Sequence, residues 1–174
     1  MKLEQRCRLI ELILSDVDGV LTDGGIVFDN QGIETKQFHI RDGMGIKLWQ
    51  RAGYKFGLVT GRSSHIVKIR AAELGIDLVR QAAEDKLPAT QQIARELKLS
   101  MEQVCYIGDD LPDLPAIKAV GVSIAVADAA EEVRAAAHYT TNLGGGRGAV
   151  REAVEMILKY QGRWADLVQK YSGQ

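Results

Sequence analysis

The chain has little that would staple it, charge it or anchor it. It carries two cysteines, Cys7 and Cys105, in 174 residues, and their spacing matches neither a metal-ligand pair nor a disulfide framework. Cys105 sits inside an apolar run, so two reduced thiols in the cytoplasm are the expectation. Charge of neither sign dominates. The formal net charge is −1, which gives no electrostatic reason to expect nucleic acid or an acidic membrane as partner. No apolar run approaches the ~20 residues of a membrane-spanning helix. The opening Met-Lys-Leu-Glu-Gln-Arg-Cys-Arg leads into a run broken by Glu11 and lacks a small-residue cleavage site, so it does not read as a signal peptide. Repeats, linkers and low-complexity stretches are missing too. What remains, 46% hydrophobic and 26% charged, is the composition of one globular domain with a sizeable core.

The most informative stretch is 12–24. Leu9, Ile10, Leu12, Ile13 and Leu14 read as a strand buried on both faces, and the run stops at Asp16 and Asp18, followed by Gly19. Burying two like charges side by side is costly, and a bound cation is the simplest reason to do so. An acidic turn is the plain alternative. A calcium loop is excluded: counted from Asp16, its sixth and twelfth positions hold Leu21 and Val27, where glycine and glutamate are needed.

Two other apolar runs end in chemistry. The run 55–59 stops at Thr60-Gly61-Arg62-Ser63-Ser64, where a hydroxyl and free backbone N–H groups ahead of a helix can cradle an anion. The run 104–107 stops at Gly108-Asp109-Asp110-Leu111-Pro112-Asp113, and Lys86 lies between the two. Taken singly, Thr60 is a turn hydroxyl and Lys86 a solvated lysine. Taken in order, they form a constellation at strand carboxyl ends, where open α/β sheets bind ligands.

Helical periodicity at 44–52, 64–74, 86–97, 114–120, 131–136 and 149–158 alternates with short strands at 77–79 and 122–126. The expected fold class is therefore α/β, a doubly wound, Rossmann-like parallel sheet. Residues 25–40 alternate around Asp29-Asn30-Gln31-Gly32 as a hairpin. Its apolar Ile26, Phe28, Ile33, Phe38 and Ile40 suit either an interface or the chain's own domain. A single domain over 1–160 is expected, with a tail over 161–174 whose Trp164, Leu167, Val168 and Tyr171 recur at helical spacing. The glycine run at 144–148 lacks the βαβ context of a dinucleotide site and reads as a turn before the last helix.

In this combination the chain resembles the haloacid dehalogenase superfamily of phosphohydrolases, whose four motifs are matched by Asp16-Val17-Asp18, Thr60, Lys86 and Gly108-Asp109-Asp110-Leu111-Pro112-Asp113. The resemblance implies that Asp16 is a nucleophile forming an aspartyl-phosphate and Asp18 a general acid/base. It implies Mg²⁺ on Asp16, Asp109 and the Asp18 backbone carbonyl, phosphoryl oxygens on Thr60, Gly61 and Lys86, and supporting roles for Asp110 and Asp113. There is no room for a cap domain. Within the superfamily the chain is similar to capless members acting on 3-deoxy-2-keto sugar acid phosphates, through Asp18-Gly-Val-Leu-Thr-Asp-Gly24, Phe38-His-Ile-Arg-Asp-Gly-Met-Gly-Ile46 and Gly144-Gly-Gly-Arg-Gly-Ala-Val-Arg-Glu152.

That likeness implies hydrolysis of 3-deoxy-D-manno-octulosonate 8-phosphate in lipopolysaccharide biosynthesis. It further implies a homotetramer built through the hairpin, with the tail closing an active site. His39, Arg41, Asp42, Gly43, Lys47, Arg62 and Arg70 would line the sugar-acid pocket, where guanidinium groups could hold the carboxylate in bidentate fashion. A nine-carbon nonulosonate 9-phosphate is the enzymatic alternative, and a non-catalytic capless binding or assembly module the other.

Overall fold

The computed structural model describes residues 1–172. In chain order its strands are β1 (Leu12–Ser15), β2 (Val27–Phe28), β3 (Glu34–Thr35), β4 (Lys55–Val59), β5 (Leu78–Arg80), β6 (Val104–Gly108), β7 (Val122–Ala125) and β8 (Tyr139–Thr140). Six of them form one parallel sheet, ordered β5-β4-β1-β6-β7-β8. β1 is fully buried, as are β6 and β7, which is why their sequences are continuous apolar runs without alternation.

The helices are α1 (Leu3–Cys7), α2 (Ile40–Arg51), α3 (His65–Leu74), α4 (Lys86–Glu96), α5 (Leu114–Ala119), α6 (Glu131–Ala136), α7 (Ala149–Tyr160) and α8 (Trp164–Gln169). α2 packs chiefly on α7 and β4. The chain lays β4 and β5 on one side of β1 and then returns to place β6 on the other. The crevice at the carboxyl ends of β1 and β6 is therefore the switch point at which such sheets bind ligands.

The first strand is shorter than its apolar run. Leu9 is exposed and Ile10, though buried, precedes the ladder, because pairing to both neighbours begins only where Leu12 meets Lys55 and Val104. α2 starts at Ile40, earlier than periodicity from residue 44 suggests, since the His39 ring Nδ1 accepts the Arg41 N–H as an N-cap. The hairpin correspondingly ends sooner. Its paired part is two residues a side, Val27 opposite Thr35 and Phe28 opposite Glu34, closed by Asp29 Oδ1 accepting from the Gln31 and Ile33 N–H groups. Ile26, Val27, Phe28, Ile33 and Ile40 are all exposed, whereas Phe38 packs on the core.

The tail stripe divides between this chain and solvent. Leu167 is buried, and Trp164 lies partly buried under the Arg151 guanidinium, while Val168 and Tyr171 are exposed. Gly173 and Gln174 of the tail lie outside the described residues.

Candidate active site

Asp16 follows β1 directly, its N–H donating to the Ile107 carbonyl of β6, so the end of the central strand aims its carboxylate into the switch-point crevice. Asp16 Oδ1 accepts from the Val17 N–H at 2.6 Å and Oδ2 from Lys86 Nζ at 2.6 Å. Lys86 opens α4 behind its N-cap Asp85, and its buried ammonium also donates to Asp113 Oδ1 at 2.7 Å. Asp113 is fully buried and its bonds are complete. Oδ1 takes Lys86 and the Tyr106 hydroxyl, and Oδ2 takes the Asp109 and Asp110 N–H groups. Asp110 caps the short turn that presents Asp113, its Oδ1 accepting from the Leu111 N–H at 2.8 Å.

One ammonium faces three acids. Asp16, Asp109 and Asp113 each offer an oxygen within 4.8 Å of the others, leaving the cluster short of positive charge. Burial, Asp16 and Asp113 push the Asp109 carboxyl up to about 8, and burial and Asp113 push Asp16 up to about 6 against the pull of Lys86. Asp109 Oδ1 is buried without a hydrogen-bond partner, an arrangement that costs free energy unless something fills it. A divalent cation with oxygen ligands fits this donor set, and its charge would reverse both shifts. Asp16, with one bond to each oxygen, and Asp109 have ligand capacity to give; Asp113, with two bonds to each oxygen, does not.

The cavity over these residues, about 510 Å³, is lined by Asp16, Asp18, Gly24, Thr60, Gly61, Arg62, Glu84, Lys86, Asp109, Asp110 and Pro112. Thr60 is held at the end of β4, its N–H on the Arg80 carbonyl and its carbonyl on the Ala83 N–H. A larger depression of about 630 Å³ opens at the other end of β4, around Gln50, Tyr54, Lys55 and Asp77, but no cluster of perturbed carboxylates lies there.

The expected sugar-pocket residues mostly point elsewhere. Arg62 lines the cavity. Asp42 is buried and caps α7, accepting from the Gly148 and Arg151 N–H groups. Burial raises its pKa while those bonds oppose the rise. It is spent on helix packing and is not a free ligand for sugar. Gly43 is buried against Arg70, Arg70 stacks on Phe38 and pairs with Glu73, and Lys47 lies near Gly75. His39 caps its own helix, and Arg41 is exposed beside Arg147 and Arg151. None of these six lines this chain's catalytic cavity: α2, which carries or follows five of them, runs along α7, and Arg70 on α3 is engaged by Phe38 and Glu73.

Several contributors gave no sequence signal. Tyr106 reads as a core strand residue, yet its hydroxyl holds Asp113 at 2.9 Å. Lys36 and Glu34 are polar residues of the hairpin that no motif marks out. Lys36 Nζ nevertheless donates to Asp18 Oδ1, and Glu34 pairs with Lys36 and Arg62. The glycine run packs on the catalytic loop: Gly146 N–H donates to the Val20 carbonyl, and any side chain at Gly145 would strike the Gly19 carbonyl. Gly19 itself has φ +89°, and a β-carbon there would overlap the Asp109 carboxylate.

Comparison with known proteins adds relatives to this geometry. Residues 77–148 match the model of the haloacid dehalogenase-like hydrolases. The 3-deoxy-D-manno-octulosonate 8-phosphate phosphatase KdsC of Yersinia pestis is 45% identical over 157 residues, 90% of this chain and 84% of that protein. The corresponding phosphatase of Moraxella catarrhalis, solved in complex with a magnesium ion, a phosphate ion and KDO, superposes with a TM-score of 0.95 at 40% identity, over 97% of each chain. The cobalt-bound form from Haemophilus influenzae gives 0.91 at 40% identity, over 95% of this chain and 99% of that one.

Proposed function

The chain belongs to the haloacid dehalogenase-like hydrolases, among the 3-deoxy-D-manno-octulosonate 8-phosphate phosphatases, and we propose that it hydrolyses that phosphate monoester with Mg²⁺ to the free sugar acid and phosphate. The observation that carries the reading is the charge imbalance at the crevice: of three clustered acids one buried lysine pairs with two, Asp16 and Asp113, and a buried oxygen of the third, Asp109, has no partner. Such a cluster is built for a cation and, with it, for a phosphoryl group.

The proposed chemistry follows from the residues. Asp16 and Asp109, with the Asp18 backbone carbonyl, would hold Mg²⁺. When bound, the ion supplies the positive charge that lets an anionic nucleophile approach phosphoryl oxygens. Lys86, Thr60 and Gly61 bind those oxygens, while Asp113, Asp110 and Tyr106 keep Lys86 and the Asp109 loop in place. The Asp16 carboxylate attacks phosphorus and the ester P–O bond breaks. Asp18 gives its proton to the departing alkoxide. Asp18 then takes a proton from water, whose oxygen attacks phosphorus, breaking the acyl-phosphate bond and returning Asp16 as carboxylate. Splitting one slow displacement into two lowers each barrier, and a positioned acid/base contributes about 10²–10⁴.

We also propose a cytoplasmic homotetramer whose phosphatase domain spans 1–160, with 161–174 as a tail. The assembly is supported by a hairpin of two-residue strands that exposes Ile26, Val27, Phe28 and Ile33. An isolated hairpin of that size is marginal in water, and a partner would cover its apolar faces. His39, Arg41, Lys47 and Arg70, turned away from their own cavity, would then serve the sugar acid in a neighbour's site. The cytoplasm is in keeping with two buried thiols, Cys7 and Cys105, left unpaired.

The test is phosphate release from the octulosonate 8-phosphate and a nonulosonate 9-phosphate, with Mg²⁺ and with chelator. We expect Mg²⁺-dependent preference for the eight-carbon ester and its abolition in Asp16→Asn. Full activity in that variant would sink the covalent mechanism, and equal turnover of both esters the substrate assignment.

A further inference from the structure

We infer that Lys36 is a positioning residue for Asp18, carried into the active site by the hairpin. The lysine stems from an exposed segment, yet its side chain is 1% exposed. Its ammonium donates to Asp18 Oδ1 at 2.5 Å and lies 3.3 Å from Glu34 Oε1. From the other side Glu34 Oε1 is ion-paired, without hydrogen-bond geometry, to Arg62 Nη2 at 2.7 Å, on the loop after β4. Burial alone would raise the Glu34 carboxyl, but Lys36, Arg62 and Ser64 together hold it below its usual range. The result is a chain of alternating charges, Asp18–Lys36–Glu34–Arg62, running from the catalytic loop through β3 to the phosphate loop.

A buried ammonium between carboxylates is costly unless the geometry is fixed, so this one holds its partners in a single arrangement. Lys36 is not among the residues lining the cavity, whereas Asp18 is. The lysine therefore acts through Asp18 and does not touch the phosphoryl group, whose charge Lys86 faces. With Oδ1 taken by Lys36, Oδ2 is the oxygen left to exchange a proton with the substrate. That step depends on hydrogen-bond reach to the ester oxygen, and displacement by about 1 Å can cost about 10²-fold.

This inference rests on the phosphatase reading, and its test separates the two. Lys36→Met, Lys36→Arg and Glu34→Gln are compared with wild type on the octulosonate 8-phosphate, an alkyl ester, and on p-nitrophenyl phosphate. The p-nitrophenolate leaves without help from a proton. kcat/KM reports events up to leaving-group departure and excludes the second displacement.

In Lys36→Met we expect kcat/KM to fall by about 10²-fold on the alkyl ester and to change little on the aryl ester, with inhibition by inorganic phosphate preserved. Lys36→Arg should recover most of the loss. Glu34→Gln keeps the lysine and should repeat the selective loss at smaller amplitude, which covers the case of a Lys36→Met that does not fold. Equal losses on both esters, or no loss on either, would overturn the assignment. A wild-type protein that turns over neither ester would overturn the phosphatase reading, and this inference with it.

Discussion

Asp16 and Asp18 stand on one short loop and are held by opposite kinds of structure. Asp16 is wired to the core. Its lysine opens a helix, that lysine is shared with a fully buried Asp113, and Asp113 is fixed by Tyr106 and two backbone N–H groups. Asp18 is wired to the periphery, through a lysine on a hairpin whose apolar side chains lie in solvent. The environment of Asp16 is over-determined by the sheet, while that of Asp18 depends on a hairpin of two-residue strands whose apolar side chains are exposed. In the proposed mechanism one loop would thus combine a rigidly held nucleophile, Asp16, with an acid/base, Asp18, held through the hairpin.

The core side of this comparison breaks most severely at Asp109. Asp109→Asn removes the buried carboxyl that burial and the neighbouring acids Asp16, Asp113 and Asp110 push up to about 8. We expect activity and Mg²⁺-induced stabilisation to vanish, yet the metal-free protein at pH 7 to melt about 5 °C higher than wild type. Calorimetry with and without Mg²⁺ checks both halves. A lower melting point in the metal-free variant would show that the cluster carries no charge excess.

The peripheral side is sharpened by Ile26→Ser, Phe28→Ser and Ile33→Ser combined. Light scattering should report loss of the assembly, and kcat/KM on the alkyl ester should fall about tenfold or more as Lys36 loses its fixed frame. An active monomer would uncouple Asp18 from the hairpin.

The smallest effect lies at the support of the glycine loop. Glu152 accepts from Tyr139, Asn142 and Leu143 just ahead of that loop. Burial would raise its pKa, but those bonds lower it below the ordinary carboxyl range. Its stabilisation is therefore complete above the unfolded-state value and disappears as pH falls through the lower folded one. Glu152→Gln should cost about 1 kcal/mol at pH 7, and the difference from wild type should close in denaturant titrations carried below pH 4.5. A difference that persisted in acid would mean that the charge is not what matters.

Much of the site was legible because a parallel sheet announces itself. Its central strands are continuous apolar runs, so Asp16, Thr60 and Asp109 stand out where those runs stop, and the helix opening at Lys86 follows from its own period. The hairpin turn was readable from Asp29 to Gly32 for the same local reason. Leu9 misled because an apolar residue ahead of a strand looks like the strand until its ladder partners are known. Asp42 is expected in the sugar pocket from the resemblance alone, whereas its partners in this chain are N–H groups more than a hundred residues away.

By itself the sequence determined the elements and the chemical groups at their ends, since periodicity and chain breaks act over a few residues. Only the tertiary structure decided which charges meet. It gave Lys86 to both Asp16 and Asp113, turned most of the expected sugar-binding residues away from their own cavity, and sent Lys36 inward from an exposed hairpin to Asp18. A buried charge is tolerated only beside a suitable partner, and that partner is chosen by how the elements pack, which no local pattern encodes.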